Sequence, residues 1–241
     1  MAIVVFTAAA TMVFVRFAGN EDDLAWVGKL LHGLGLHRSA DDFMRAMTKS
    51  PNKRIYLREW WAGARLLGYG VIPLLSAKLF LPGKLGQYGI SGTGKSQAKI
   101  YFLLFAIVAP FVFAASFGTG FQEKYPYYKV AKGEALFPNF VLWECLYASQ
   151  FVGLELFFRG FLIQGLRRPL GYAAVLFPIV PYATIHFGKP LPEALGSIVT
   201  GFVLGTMALK TRSIWGGAAI HVSVACSMDV LSLWHRGLLF H

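Results

Sequence analysis

Long apolar runs dominate the pattern of hydrophobic and polar positions, and many have about 17 to 25 residues, the length with which a helix crosses a bilayer. Polar residues gather between the runs. Pro178 and Pro181 fall inside one run, where prolines are tolerated when neighbouring helices satisfy the freed carbonyls. The pattern predicts an all-α polytopic bundle of six to seven membrane spans. Six of the predicted spans lie at about 62–82, 100–118, 140–166, 172–188, 194–209 and 214–234.

The N-terminal quarter of the chain has a different pattern. Residues 2–18 are apolar but few, and they fit a short span or an interfacial helix equally well. Residues 19–59 are polar, with both charge signs mixed, including the acidic run 21–23. Leucine and valine recur there at helical spacing, which is typical of an amphipathic helix on the membrane surface. We therefore predict an N-terminal hydrophobic and interfacial region over 1–59 and a transmembrane bundle over 60–241.

The composition is typical of a membrane protein, and the positive net charge can be explained by the loops between spans. Hydrophobic residues make up 56% of the 241 residues and charged residues 15%, whereas soluble domains carry about 25% charged residues. The net charge of +11 comes largely from short loops, where membrane orientation and anionic head groups both favour basic residues. We expect a lipid bilayer as partner and no nucleic acid. Arg167, Arg168, Lys210 and Arg212 are predicted to face the cytoplasm.

One segment matches the sequence of a nucleotide-binding motif but does not follow a β-strand, as that motif requires. Residues 89–96 fit the pattern G-x-x-x-x-G-K-S, whose amides cradle phosphate when the loop joins a β-strand to a helix. Here the segment follows one predicted span and leads into another. The sequence therefore predicts a flexible connector, and no nucleotide is expected.

Ionisable residues interrupt the apolar run at 140–168. Glu144, Glu155 and Arg159 lie at membrane depth, where such groups are costly and mark functional sites by default. Glu155 and Arg159 are four residues apart and share a helix face. Glu144 precedes Glu155 by eleven residues, about 20° from the same face. This stripe is the first candidate for chemistry.

Two histidines in or at the ends of later spans, His186 and His221, give that stripe possible partners. A carboxylate with two imidazoles can bind a divalent cation such as zinc, or it can activate water without a metal. Both possibilities stay open at this stage. Either arrangement permits attack of water on a carbonyl group.

Three motifs resemble those of the CPBP (Abi) intramembrane proteases, relatives of the type II CAAX prenyl endopeptidases. The family pattern is Glu-Glu-x-x-x-Arg, then Phe-x-x-x-His, then His-x-x-x-Asn or Asp. The resemblance covers about 140–234, with each motif on its own predicted span. The matching segments are Glu155-Leu-Phe-Phe-Arg159-Gly160, Tyr182-Ala-Thr-Ile-His186 and His221-Val-Ser-Val-Ala225.

The chain departs from the family pattern at three positions. Leu154 stands where the family places the first glutamate, the residue usually assigned to water activation. Tyr182 replaces phenylalanine and adds a hydroxyl group, and Ala225 replaces the asparagine or aspartate. Asp229 lies eight residues beyond His221, about 12 Å along a helix and about 80° around it, so it cannot easily share a ligand sphere with that histidine.

The resemblance implies an endopeptidase that acts on peptides or proteins near the membrane, in the cytoplasmic membrane of a bacterium. In this reading Glu155 is the general base, Arg159 orients it, and His186 and His221 polarise the carbonyl or hold a metal together with Glu155. Secondary candidates for the site are Asp229, Glu144 and Tyr182.

Two other functions remain open. A family member without catalytic activity would serve as a membrane partner or an immunity-type factor. A transporter would use the buried charged residues as an ion relay.

Overall fold

The computed structural model describes residues 1–20, 24–91, 95–130 and 134–239, and all regular secondary structure in these ranges is helical. The predicted all-α fold is confirmed. The acidic run 21–23 and residues 92–94 of the phosphate-loop match lie outside the described residues.

Most of the helices follow one another directly or after a few residues, and the segment 125–138 before α8 is longer. Segments of π-helix occupy Leu66–Val71 and Leu156–Gln164, and 3₁₀ helices occupy Leu85–Tyr88 and Gly171–Val175. The α-helices of the described ranges are α1 (Ala2–Ala18), α2 (Ala25–Gly33), α3 (His37–Lys49), α4 (Lys53–Arg65), α5 (Ile72–Phe80), α6 (Lys95–Ala115), α7 (Thr119–Lys124), α8 (Asn139–Glu155), α9 (Gly165–Leu170), α10 (Ile179–Thr184), α11 (Leu191–Thr211) and α12 (Trp215–His235).

Within the described residues, four helical segments are long and apolar enough to cross a membrane: Gln97–Ala115, Asn139–Val175, Leu191–Thr211 and Trp215–His235. The predicted span at 172–188 is wrong. Its residues form a 3₁₀ helix and the six-residue α10 instead. Pro178 is the N-cap of α10, because proline has no N–H to donate inside a longer helix.

Helix α1 packs against the bundle along one face. Its buried residues recur every three or four positions, and they contact α5 and both π-helical segments. Phe6, Val13 and Phe17 on its other faces are exposed and apolar. Helix α3 is amphipathic and buries Ala40 alone of its residues, as expected of a helix at the edge of the structure.

The hydrophobic core surrounds the long helical segment formed by α8, the π-helix Leu156–Gln164 and α9. Phe157, Leu162, Ile163 and Leu166 in this segment are fully buried. The segment packs against α4, α11, α12 and the first π-helix. The helix that carries the first motif is thus the centre of the bundle.

Candidate active site

Glu155 ends α8 at the point where the helix widens into the π-helix Leu156–Gln164. Its side chain is 0% exposed, and its Oε1 lies 3.1 Å from Nη1 of Arg159, which is itself 2% exposed. Local π-helices occur frequently at functional sites. The two charged groups predicted to share a helix face therefore form a fully enclosed ion pair.

The Glu155 carboxylate also holds His221 of α12. His221 Nδ1 lies 2.7 Å from Glu155 Oε1, and its Nε2 lies 2.7 Å from the hydroxyl oxygen of Tyr182. A carboxylate beside a guanidinium only accepts hydrogen bonds, so Nδ1 is the donor. A neutral His221 then accepts the Tyr182 hydroxyl hydrogen at Nε2. The result is a continuous chain of hydrogen bonds from Tyr182 through His221 to Glu155.

Close approach of α8 and α12 depends on a glycine. A Cβ atom built on Gly217 would collide with Oε2 of Glu155, and one built on Gly216 would collide with the Tyr101 ring. Small residues let helices approach closely, and the run of small residues after position 215 does so here. Gly217 thus provides the space in which the Glu155 carboxylate lies.

His186 lies on the other side of Tyr182. Its Nδ1 donates to the main-chain carbonyl of Tyr182 at 2.8 Å, and the two rings meet edge to face with centroids 4.8 Å apart. A neutral imidazole that donates from Nδ1 carries its lone pair on Nε2. Among the described residues, no hydrogen-bond partner occupies that nitrogen, so it is available to a molecule in the adjacent cavity.

A cavity of about 1670 Å³ lies beside these groups. Tyr182, His186, His221, Leu154 and Ala225 line it, whereas Glu155 and Arg159 do not. Leu154 therefore presents its side chain where the family places its first glutamate. Glu155, one residue on, points into the protein interior and reaches the cavity only through His221.

Gln150 belongs to the same cavity wall and was missed in the sequence. It lies one helical turn before Leu154 and is 3% exposed. A glutamine within an apolar run, four residues before a motif position, was the signal that could have identified it.

The rim of the cavity carries a separate polar network. Lys189 donates to the Tyr125 hydroxyl oxygen at 2.7 Å and pairs with Glu193 at 3.2 Å, and the Tyr125 hydroxyl donates to Glu193 at 2.7 Å. Burial, followed by the nearby Tyr147 and Glu193, raises the pKa of Tyr125. The phenol therefore stays protonated and remains a donor to Glu193.

Of the three secondary candidates, Tyr182 alone joins the site. Asp229 accepts a hydrogen bond from the Tyr127 main-chain N–H at 3.0 Å, and its carboxyl contacts that of Glu144. Neither acid lines the cavity. These two residues form a separate pair, away from His221.

The arrangement does not fit the predicted metal site. Both nitrogens of His221 are engaged, by Glu155 and by Tyr182, and Glu155 Oε1 already accepts a hydrogen bond from His221 and forms an ion pair with Arg159. The described residues contain no group of three or more histidine, cysteine, aspartate or glutamate side chains able to hold a metal ion.

The described part of the phosphate-loop match has a structural role. Gly89 accepts a hydrogen bond from the Ile214 N–H at 2.9 Å, and Ser91 donates to the Arg212 carbonyl at 3.1 Å. The Trp215 indole donates to the Ile90 carbonyl at 2.8 Å. Residues 89–91 thus fasten the start of α12, which carries His221.

Comparison with protein families finds one match at this site. Residues 137–226 match the model of a family described as Rce1-like, type II CAAX prenyl endopeptidase Rce1-like. That range contains all three motifs, so the family resemblance predicted from them is confirmed. Comparisons with curated proteins and with solved structures gave no match.

Proposed function

We propose that this integral membrane protein, whose residues 137–226 carry the core of the Rce1-like family, is an intramembrane endopeptidase that uses histidine-activated water. The observation that supports the proposal is the hydrogen-bonded chain from Glu155 through His221 to Tyr182, at the wall of a cavity that His186 also lines. An imidazole held by a buried carboxylate is a recurring device of hydrolases. The substrate is a peptide or protein segment within or near the bilayer.

His186 is the general base in this proposal. Its free Nε2 takes a proton from a water molecule in the cavity as the water oxygen bonds to the carbonyl carbon of the peptide. The same proton then passes from His186 to the departing amine as the carbon–nitrogen bond breaks. A neutral histidine with one lone pair on the cavity side is suited to both steps.

Tyr182 and His221 stabilise the oxyanion of the tetrahedral intermediate. In the active form His221 has taken up a proton from bulk water before the peptide binds, and it donates from Nδ1 to Glu155 and from Nε2 to the Tyr182 oxygen. The phenol hydrogen is then free to point into the cavity and donate to the oxyanion. Glu155 acts through His221 as a positioning residue, since its complete burial separates it from water.

The first test replaces His186 by alanine. Cleavage of membrane-tethered fluorescent peptides in proteoliposomes should fall by about 10²- to 10⁴-fold, the usual contribution of a general base. His37→Ala is the matched control, because His37 is an exposed residue of α3. A chelator should leave the wild-type rate unchanged. Full activity of His186→Ala would reject this base, and loss with chelator that zinc restores would reject the metal-free mechanism.

A specific observation favours a second candidate, a family member that binds peptides or proteins in the membrane without cleaving them. Leu154 and Ala225 both line the cavity at positions where the family carries polar residues. Such a protein would keep the fold and act as a membrane partner or immunity-type factor.

Replacing Leu154 by glutamate distinguishes the two candidates. If the protein is a hydrolase, the wild type cleaves peptides, and the variant retains activity because the new carboxylate faces the cavity. If the protein only binds peptides, the wild type does not cleave them, and the variant gains cleavage activity. Leu154→Gln, which has nearly the same shape and no basic carboxylate, is the control. Rates are measured with the same tethered peptides.

We also propose a bacterial cytoplasmic membrane, with Arg167, Arg168, Lys210 and Arg212 on the cytoplasmic side. Arg167 lies close enough to Arg168 and Arg212 for their charges to interact. A concentration of basic residues in short loops at one end of a bundle supports that orientation.

A further inference from the structure

A second pair of buried acids lies between α8 and α12, separate from the site described above. Asp229 is 0% exposed, and one of its carboxyl oxygens, Oδ2, has no hydrogen-bond donor among the described residues. Both carboxyl oxygens of Glu144 are buried and likewise lack a donor there. The two carboxyl groups contact each other.

Two adjacent carboxyl groups enclosed in a membrane-spanning bundle cannot both carry a charge, because like charges at contact in a medium of low polarity repel strongly. In the described residues, neither acid forms an ion pair with lysine or arginine. The groups that face the pair come from four parts of the chain. They are Cys226 on α12, Trp143 and Tyr147 on α8, Tyr125, Tyr127 and Lys129 from the segment before α8, and Lys189 from the connection before α11.

The two acids have different surroundings. Asp229 accepts the Tyr127 N–H, and the charges of Lys129 and Lys189 act on it. Glu144 has only Asp229 and the Cys226 thiol as polar neighbours among its described contacts. The charge is therefore favoured on Asp229, and the proton on Glu144 is placed to bridge to the unpartnered Oδ2.

Asp229 fastens a wall of the cavity. Tyr127, whose N–H it accepts, lines the cavity and stacks on Trp143, with ring centroids 5.7 Å apart and planes 10° apart. Ser232, one turn further along α12, donates to the Tyr125 carbonyl at 2.6 Å. Arg236, directly after α12, also donates to the Tyr125 carbonyl, at 2.9 Å. The segment 125–130 is thus held at α12 by the Asp229 carboxylate, the Ser232 hydroxyl and the Arg236 guanidinium, and among these the carboxylate is the group paired with a second acid.

We propose that Glu144 and Asp229 form a proton-binding site that holds the 125–130 wall of the cavity in place. When the 125–130 wall is in place, the two acids together bind one proton, which is on Glu144. Release breaks the O–H bond of Glu144, transfers the proton to water and leaves two carboxylates, whose repulsion moves Asp229 from the Tyr127 amide. This inference is independent of whether the cavity hydrolyses peptides, since it concerns binding of a proton and the position of a wall.

The first experiment observes the proton directly. Infrared spectra of the protein in lipid nanodiscs at neutral pH should contain the C=O stretching band of a buried protonated carboxylic acid. The band should disappear at alkaline pH in the wild type, and it should be absent at every pH in Glu144→Gln. Glu123→Gln, an exposed acid two residues before Tyr125, should leave it unchanged. No band in the wild type, or a band that survives Glu144→Gln, would overturn the proposal.

The second experiment observes the wall. Hydrogen exchange of the Tyr127 amide should show protection that falls by about tenfold per pH unit above the transition, because opening is linked to loss of one proton. Glu144→Gln should remove this dependence, since its amide donates to Asp229 without titrating. Rates are corrected for the intrinsic effect of pH on exchange. Parallel profiles in the wild type and the variant would show that the proton does not hold the wall.

Discussion

Replacement of Glu155 by glutamine is expected to lower the rate of peptide cleavage by about 10²- to 10⁴-fold, by analogy with loss of the carboxylate that orients a catalytic histidine. The Glu155 side chain fixes His221 through a 2.7 Å hydrogen bond to Nδ1 and stabilises the protonated imidazole. Glutamine keeps the size of the side chain and removes its charge. His221 then loses its fixed tautomer, and Tyr182 loses the donor that directs its hydroxyl hydrogen.

The measurement is designed to separate positioning from binding. Because Glu155 does not line the cavity, the variant should lower kcat with little change in KM. Nitrogen NMR of labelled histidine should show a changed tautomer population of His221. Glu123→Gln is the matched control. A variant that cleaves like the wild type would show that Glu155 only balances the charge of Arg159.

Replacement of Arg159 by leucine should destabilise the protein by about 3–5 kcal/mol, the usual cost of breaking a buried ion pair from one side. The substitution leaves the Glu155 carboxylate enclosed without its guanidinium. It also removes the stacking of that guanidinium on the Tyr182 ring, whose centroid lies 4.1 Å from Cζ. Both losses fall on groups that are 2% exposed or less.

Denaturant unfolding in mixed micelles measures the effect, with two comparisons. Arg45→Leu removes an exposed ion pair with Asp42 on α3, and it should change the free energy of unfolding by about 1 kcal/mol or less. The double variant Glu155→Met with Arg159→Leu should recover part of the lost stability, because it leaves no unpaired buried charge. If the double variant is no more stable than Arg159→Leu, the unpaired carboxylate is not the cause.

The helical bundle was predictable because its cause is simple. Apolar runs of membrane length form helices whatever their neighbours are, and the runs around 100–118, 194–209 and 214–234 correspond to α6, α11 and α12. The run at 172–188 shows the limit of this argument. Its mean composition is that of a span, but Pro178, which has no N–H group, begins a new short helix there and separates it from the 3₁₀ helix before it.

That Glu155, Arg159 and His221 lie close together was predicted from the first and third motifs, but the direction of their side chains was not. Adjacent residues on a helix differ by about 100°, and composition does not say which of Leu154 and Glu155 faces a cavity. That choice is made by Gly217 on α12, which provides room for the carboxylate. The roles of the two histidines also depend on tertiary structure, because His186 has one free ring nitrogen whereas both nitrogens of His221 are bonded.

The π-helix at Leu156–Gln164 has a consequence for sequence alignment. A π-helix bonds each residue to the fifth one along, so it holds an extra residue in the length of an ordinary turn. Deleting one residue here would restore α-helical bonding and leave the residues beyond it facing the same way relative to α8. A one-residue gap between relatives at this place would therefore mark a π-helix replaced by an α-helix, not a shortened loop. Arg167 and Arg168 would keep their faces while Glu155 stayed against Gly217.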